Sequence, residues 1–128
     1  MASWKEIRCW LESRSVTFVG GDEWAGVCWP PEATQPGRTT VVNVVLLDKD
    51  HVVASAHVAS QEMLSIRDFL RWHARLRGGG LVFQRGEVFV RSQMDLGAIT
   101  LEDLARTLTR LADHASSIRT ELSSVPGQ

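Results

Sequence analysis

Cysteine is scarce in this chain: Cys9 and Cys28 are its only two, and neither has a second cysteine at the two-residue spacing of a zinc knuckle or redox pair. Nothing indicates a disulfide framework, which a domain able to build its own core does not need. Charge of one sign is also missing. The net charge is −1 with 23% charged residues, which excludes a polybasic tail and an acidic disordered chain. No tract approaches the roughly 18–20 apolar residues that span a bilayer. No apolar segment with a small-residue cleavage site follows Met1-Ala2-Ser3-Trp4, so the expected location is the cytoplasm. Three signatures of catalysis are absent as well: a Gly-x-Ser-x-Gly elbow, paired carboxylates on one helix face, and a phosphate loop. Gly78-Gly79-Gly80 follows a helical pattern instead of opening one and lacks the Lys-Ser/Thr ending, so it reads as a helix stop. No enzyme activity and no cofactor is expected.

What is present is an ordinary globular composition, 44% hydrophobic in 128 residues. A chain this long makes one domain that buries roughly two-thirds of the surface its unfolded form exposes. The expectation is a single domain over 1–122 with a flexible tail over 123–128.

The patterns alternate between helical and extended. Ser3 and Glu6 make a capping box ahead of Trp4, Ile7, Trp10 and Leu11, which recur at helical spacing to about Arg14. From Val16 to Trp29, short apolar runs split by Gly20-Gly21-Asp22 predict one or two strands. Pro30-Pro31 ends them, and a loop follows over Glu32 to Gly37. Arg38 to Leu47 is a β-branched run, too apolar for one fully solvated face, and predicts a central strand. After the Asp48-Lys49-Asp50 turn, His51 to Ala59 alternates, with Val52, Ala54, Ala56 and Val58 on one side. Ser65 with Asp68 caps a second helix whose expected apolar face is Ile66, Phe69, Leu70, His73 and Leu76. Leu81–Gln84 and Glu87–Arg91 form a hairpin about Arg85-Gly86. Thr100 caps a last helix of six turns carrying Leu104, Leu108, Leu111, Ala115 and Ile118. The sum is an α+β domain, an antiparallel sheet of about five strands with three helices, in the order α-β-β-β-α-β-β-α.

That order resembles the type III secretion chaperone fold. The run Leu81-Val82-Phe83-Gln84-Arg85-Gly86-Glu87-Val88-Phe89-Val90-Arg91, the linker with Asp95-Leu96, and the helix start Ile99-Thr100-Leu101-Glu102-Asp103-Leu104 are similar to the YbjN family, which shares that fold. The resemblance covers about residues 60–122. It implies a non-enzymatic, chaperone-like or regulatory adaptor, homodimeric, that binds a protein client on its sheet and helix surface. It carries over no catalytic residue.

The candidate site residues are aromatic and basic. Trp4, Trp10, Trp24 and Trp29 crowd the first 29 residues. They either plug one end of the sheet or, with Trp10, Trp24 and Trp29 as anchors, grip a client segment. Phe69 and Trp72 are the expected dimer contact on the second helix. Arg67, Arg71 and Arg75 at i, i+4 and i+8 form a basic stripe, and with Arg85 they support the alternative of a nucleic-acid-associated regulator. His51 and His57 lie six residues apart on one strand face, about 20 Å in extended chain, too far to share a zinc ion. His73 reads as a hydrogen-bonded core or interface histidine, and the two cysteines read as small buried hydrophobes.

Overall fold

The computed structural model describes residues 3–14, 18–30, 40–76 and 79–123. The loop expected over Glu32 to Gly37, the stop at Gly78 and the tail from 124 onward lie outside the described residues.

Ser3 opens helix α1 (Trp4–Arg14), its hydroxyl accepting the Glu6 N–H at 3.2 Å. Strands β1 (Phe18–Gly20), β2 (Trp24–Trp29), β3 (Thr40–Leu47) and β4 (His51–Ser60) follow, then a 3₁₀ turn over Gln61–Met63 and helix α2 (Ile66–Arg75). Strands β5 (Gly80–Gln84) and β6 (Glu87–Asp95) form the second hairpin, and helix α3 (Leu101–Ser123) ends the fold. All strand pairs are antiparallel, in the order β1-β2-β3-β4-β6-β5. The class, the three helices and the element order agree with the sequence pattern; the stretch before Trp29 yields two strands, so the sheet has six.

Local chemistry sets the boundaries. Asp68 N–H donates to the Ser65 hydroxyl at the start of α2, and Thr100 and Asp103 exchange hydrogen bonds at the start of α3. The Thr100 hydroxyl, the Thr100 N–H and Arg106 together hold the Asp103 carboxyl below its ordinary 3.8. Arg85 and Gly86 both have positive φ, 53° and 78°, the backbone of a two-residue hairpin turn matched to strand twist. Helix α2 ends at Arg75, ahead of the glycines, where Leu76 turns extended. The role of Gly79 is close approach: a Cβ there would fall 2.7 Å from the Arg91 carbonyl oxygen.

The β3–β4 turn holds Asp48 and Lys49 at φ 53° and 67°. Aspartate tolerates that region, whereas lysine has no local hydrogen bond to offset it. Lys49→Gly is therefore expected to stabilise the protein by about 0.5–1 kcal/mol, checked as a rise in the urea midpoint at unchanged slope.

The core lies on one face of the sheet. Ala25, Val27, Trp29, Thr40, Val42, Val44, Val52, Ala54, Ala56, Val88 and Val90 alternate along their strands and are buried. Ile7 and Leu11 from α1 meet them, as do Leu104, Leu108, Leu111, Ala115 and Ile118 from α3. Arg119 ties the far end of α3 down by donating to the His57 carbonyl at 3.0 Å and the Thr40 hydroxyl at 2.7 Å. Helix α2 sits beyond β5 on the same side, where Phe69 stacks on Phe83 with centroids 4.3 Å apart. Among the described residues the three α-helices therefore share one face, and none of them covers the other. Among the described residues no helix is long and apolar enough to cross a membrane.

Candidate functional site

The bare face is the second set of the strand alternation. Trp24 pairs with Val45, and Val45 with Val53; Gly26 pairs with Asn43, Asn43 with Ser55, and Ser55 with Arg91; Cys28 pairs with Val41. His57 pairs with Phe89, and Phe89 with Val82. Directly paired residues share a face, so these form rows running across the strands. Trp24 (43% exposed), Val41, Val45 and Leu47 present apolar surface to solvent here, beyond the scatter of single exposed hydrophobics usual on a monomer. A shallow depression of about 430 Å³ lies among Trp24, Asn43, Val45, Ser55, Gln84, Arg85, Glu87 and Phe89. At its edge His57 Nε2 lies 2.9 Å from a Glu87 carboxylate oxygen, with the Phe89 ring edge-on to the imidazole at 5.5 Å.

The tryptophans divide between the two faces. Trp29 is 4% exposed, its ring 5.8 Å from that of Trp10 and its indole N–H donating to the Thr109 hydroxyl at 3.0 Å. It fills the seam between β2 and α3 and has no surface to offer a client. Trp10 is half-buried beside it, with Arg14 over its ring, and Trp4 donates to the Asp22 carbonyl at 2.7 Å. Trp24, of opposite parity on the same strand, stands alone of the three expected anchors on the bare face. Its ring lies over Gly21, where a Cβ would meet Nε1 at 2.5 Å. The strand period of two separates residues 24 and 29, and that signal was available in the sequence.

Helix α2 also differs from its expected orientation. Phe69, Trp72 and Leu76 turn inward and pack against the core, while Ile66 (76% exposed) and Leu70 (59%) face solvent. Helical spacing placed Ile66 and Leu70 beside Phe69; β5 reaches only the Phe69 side, because Phe83 stacks there. The arginines are partly engaged. Arg71 pairs with Asp68 at 3.2 Å and reaches Glu121 at 3.8 Å, and Arg75 lies over the Trp72 ring. Arg67 is exposed, and Arg85, on the β5–β6 turn away from this stripe, lines the depression on the bare face.

The histidines serve local structure. His51 pairs with Asp50, and His73 Nδ1 accepts the Leu81 N–H at 3.0 Å, fixing the entry into β5. Among the described residues no three His, Cys, Asp or Glu side chains converge on a possible metal position. Cys9 is exposed, because Ile7 and Leu11 take the inward positions of α1; Cys28 is half-buried on the bare face. The expectation of two buried cysteines is corrected accordingly.

His114, on α3 in a groove with Arg106, Thr109 and Arg110, has a buried Nε2 without a hydrogen-bond partner among the described residues. Burial first, and the charge of Arg110 second, push its pKa below the ordinary 6.5, against a smaller raising effect of Asp113. The unfolded chain therefore takes up this proton before the folded one. The resulting stability is complete above pH 6.5 and is lost as the pH falls from there through the lowered folded value. His114→Gln is expected to flatten that part of the stability profile, read as urea midpoints between pH 7 and 5.

No protein-family model matches the chain, and no curated protein matches it in sequence. Solved structures do match its fold. The chain superposes on a chain of the ExsC–ExsE complex with a TM-score of 0.67 at 20% identity, covering 95% of this chain and 97% of that one. It superposes on a chain of the HopA1–SchA chaperone–effector complex with a TM-score of 0.65 at 11% identity, over 89% and 88%. The Yersinia pestis type III secretion chaperone SycH, solved with a fragment of YscM2, gives 0.61 at 18% identity, over 88% and 98%. The fold is thus that of type III secretion chaperone structures.

Proposed function

We propose that this chain is a non-enzymatic, chaperone-like adaptor of the cytoplasm that captures a segment of a protein client on the helix-free sheet face, as a homodimer. The observation that carries the reading is that face itself: Trp24, Val41, Val45 and Leu47 are exposed together on a surface that no helix among the described residues covers. The fold neighbours support it, since their structures are of complexes with a protein partner: ExsC with ExsE, SchA with HopA1, and SycH with a YscM2 fragment. Trp24 is the client anchor, with Val45 beside it and Val41 two rows further along the same face. The dimer contact is α2, where Ile66 and Leu70 point outward and Phe69 and Trp72 support them from beneath. Within this class a YbjN-like regulator is the closer reading, carried by the hairpin and helix start between residues 81 and 104. The nucleic-acid alternative draws less support, because Arg71 pairs with Asp68 and Glu121, Arg75 lies over Trp72, and near-neutral charge supplies few phosphate contacts.

The test is purification of the tagged chain from its host at moderate salt with nuclease added, with light-scattering mass and mass spectrometry of the eluate. One stoichiometric protein partner on a dimer is expected. Recovery of nucleic acid alone, and only when nuclease is left out, would overturn the adaptor reading.

A further inference from the structure

The rows of the bare face specify more than an apolar partner. One row is apolar over three strands and ends in a glutamine (Trp24, Val45, Val53, Gln93), the next is polar (Asn43, Ser55, Arg91), and the third is apolar apart from His57, whose imidazole is taken by Glu87 (Val41, His57, Phe89, Val82). Successive rows lie two residues apart along the strands, about 6.6–6.8 Å. The middle row holds an exposed cation. Across the sheet Arg91 is paired with Ser55 and Gly80, neither of them an acid, and no ion pair to Arg91 forms among the described residues. The carboxylates on the same face are already engaged: Glu87 with His57, and Asp95 as acceptor of the Gly97 N–H. A partner that covers this face must pair Arg91 or leave a desolvated charge.

We infer, building on the proposed client capture, that the occupant is an amphipathic helix of the client carrying a carboxylate side chain between two apolar ones, seated on Arg91. The spacing fits a helix laid along the strands, where side chains four residues apart advance about 6 Å and keep to one face. A helix also satisfies its own backbone. The face offers side chains and no strand edge, so an extended segment lying on it would bury unpaired N–H and C=O groups. A second copy of this chain fits poorly, since the carboxylates it would bring from this face are the engaged Glu87 and Asp95.

The probes are fluorescein-labelled helical peptides of about 18 residues, identical except for one position. Each has leucines eight residues apart, with either glutamate or lysine midway between them, and binding is read by anisotropy against the full chain. The glutamate peptide is expected to bind at least about tenfold more tightly, and Arg91→Glu is expected to reverse the preference, with Arg91→Met abolishing it. Val41→Asp, with Val45→Asp as the second variant, should remove binding of both peptides. Equal affinity for the two peptides, both lost in Val41→Asp, overturns the carboxylate assignment while leaving capture on this face standing. Binding unchanged by both face variants, or no binding by either peptide, overturns helix capture here. A dimer in sedimentation that Val41→Asp dissolves and Leu70→Asp does not would give the face to a second copy, and overturns the inference.

Discussion

Trp29→Ala is expected to cost about 3–5 kcal/mol of stability, whereas Trp24→Ala, five residues earlier on the same strand, should cost under about 1 kcal/mol. Trp29 is 4% exposed, packs on Trp10 and donates to Thr109 across the seam with α3, so truncation leaves a cavity among groups held by β2 and two helices. At this chain length the loss corresponds to a melting temperature lower by on the order of 10–20 °C. Trp24 is 43% exposed on the other side of the sheet and loses contacts mainly with Val45 and Gly21. Binding should show the reverse order. On the proposed reading Trp24→Ala should weaken client binding, and Trp29→Ala should leave it intact at temperatures where the variant stays folded. Thermal unfolding and pull-down on the same two proteins check both halves.

The pair Ile66→Asp and Leu70→Asp should convert the proposed dimer to a monomer of 14.2 kDa with little change in the stability of the fold. Both side chains stand in solvent, at 76% and 59% exposure, so the monomer core does not depend on them. In a dimer through α2, each would be buried at a gain of about 1.5–3 kcal/mol, and two carboxylates placed there would face their copies across the two-fold axis. Light scattering at micromolar concentration reads the result, and a doubly substituted chain that stays dimeric would place the contact elsewhere. Trp72→Glu is a poorer probe of the contact. Trp72 packs against the core under Arg75, so a glutamate there disturbs the fold before it reports on any interface.

The elements were legible because each is written in local chemistry. Three Ser or Thr caps each found their N3 amide, the Arg85-Gly86 turn took its positive φ values, and the alternation of β4 sorted Val52, Ala54, Ala56 and Val58 into the core. The site was legible only in part. Periodicity tells which residues share a face and does not tell which face a neighbour covers. Ile66 and Leu70 therefore read as core, whereas β5 meets α2 at Phe69 and His73. The same limit grouped Trp24 with Trp29. Their parity separated them, but the side taken by α3 is fixed by long-range packing of Leu104, Leu108 and Leu111, which lies outside any local window. The row of Asn43, Ser55 and Arg91 comes from three strands in register and has no counterpart in the linear sequence.

The most direct test of the helix-free face as the client surface is site-specific crosslinking in the host. A photo-activated phenylalanine analogue replaces Val41, exposed on that face, in one strain and Arg106, exposed on α3, in another. The account predicts a covalent adduct with a single protein partner from position 41 and none from position 106. Adducts from position 106 with none from position 41 would place the client on the helices and contradict it.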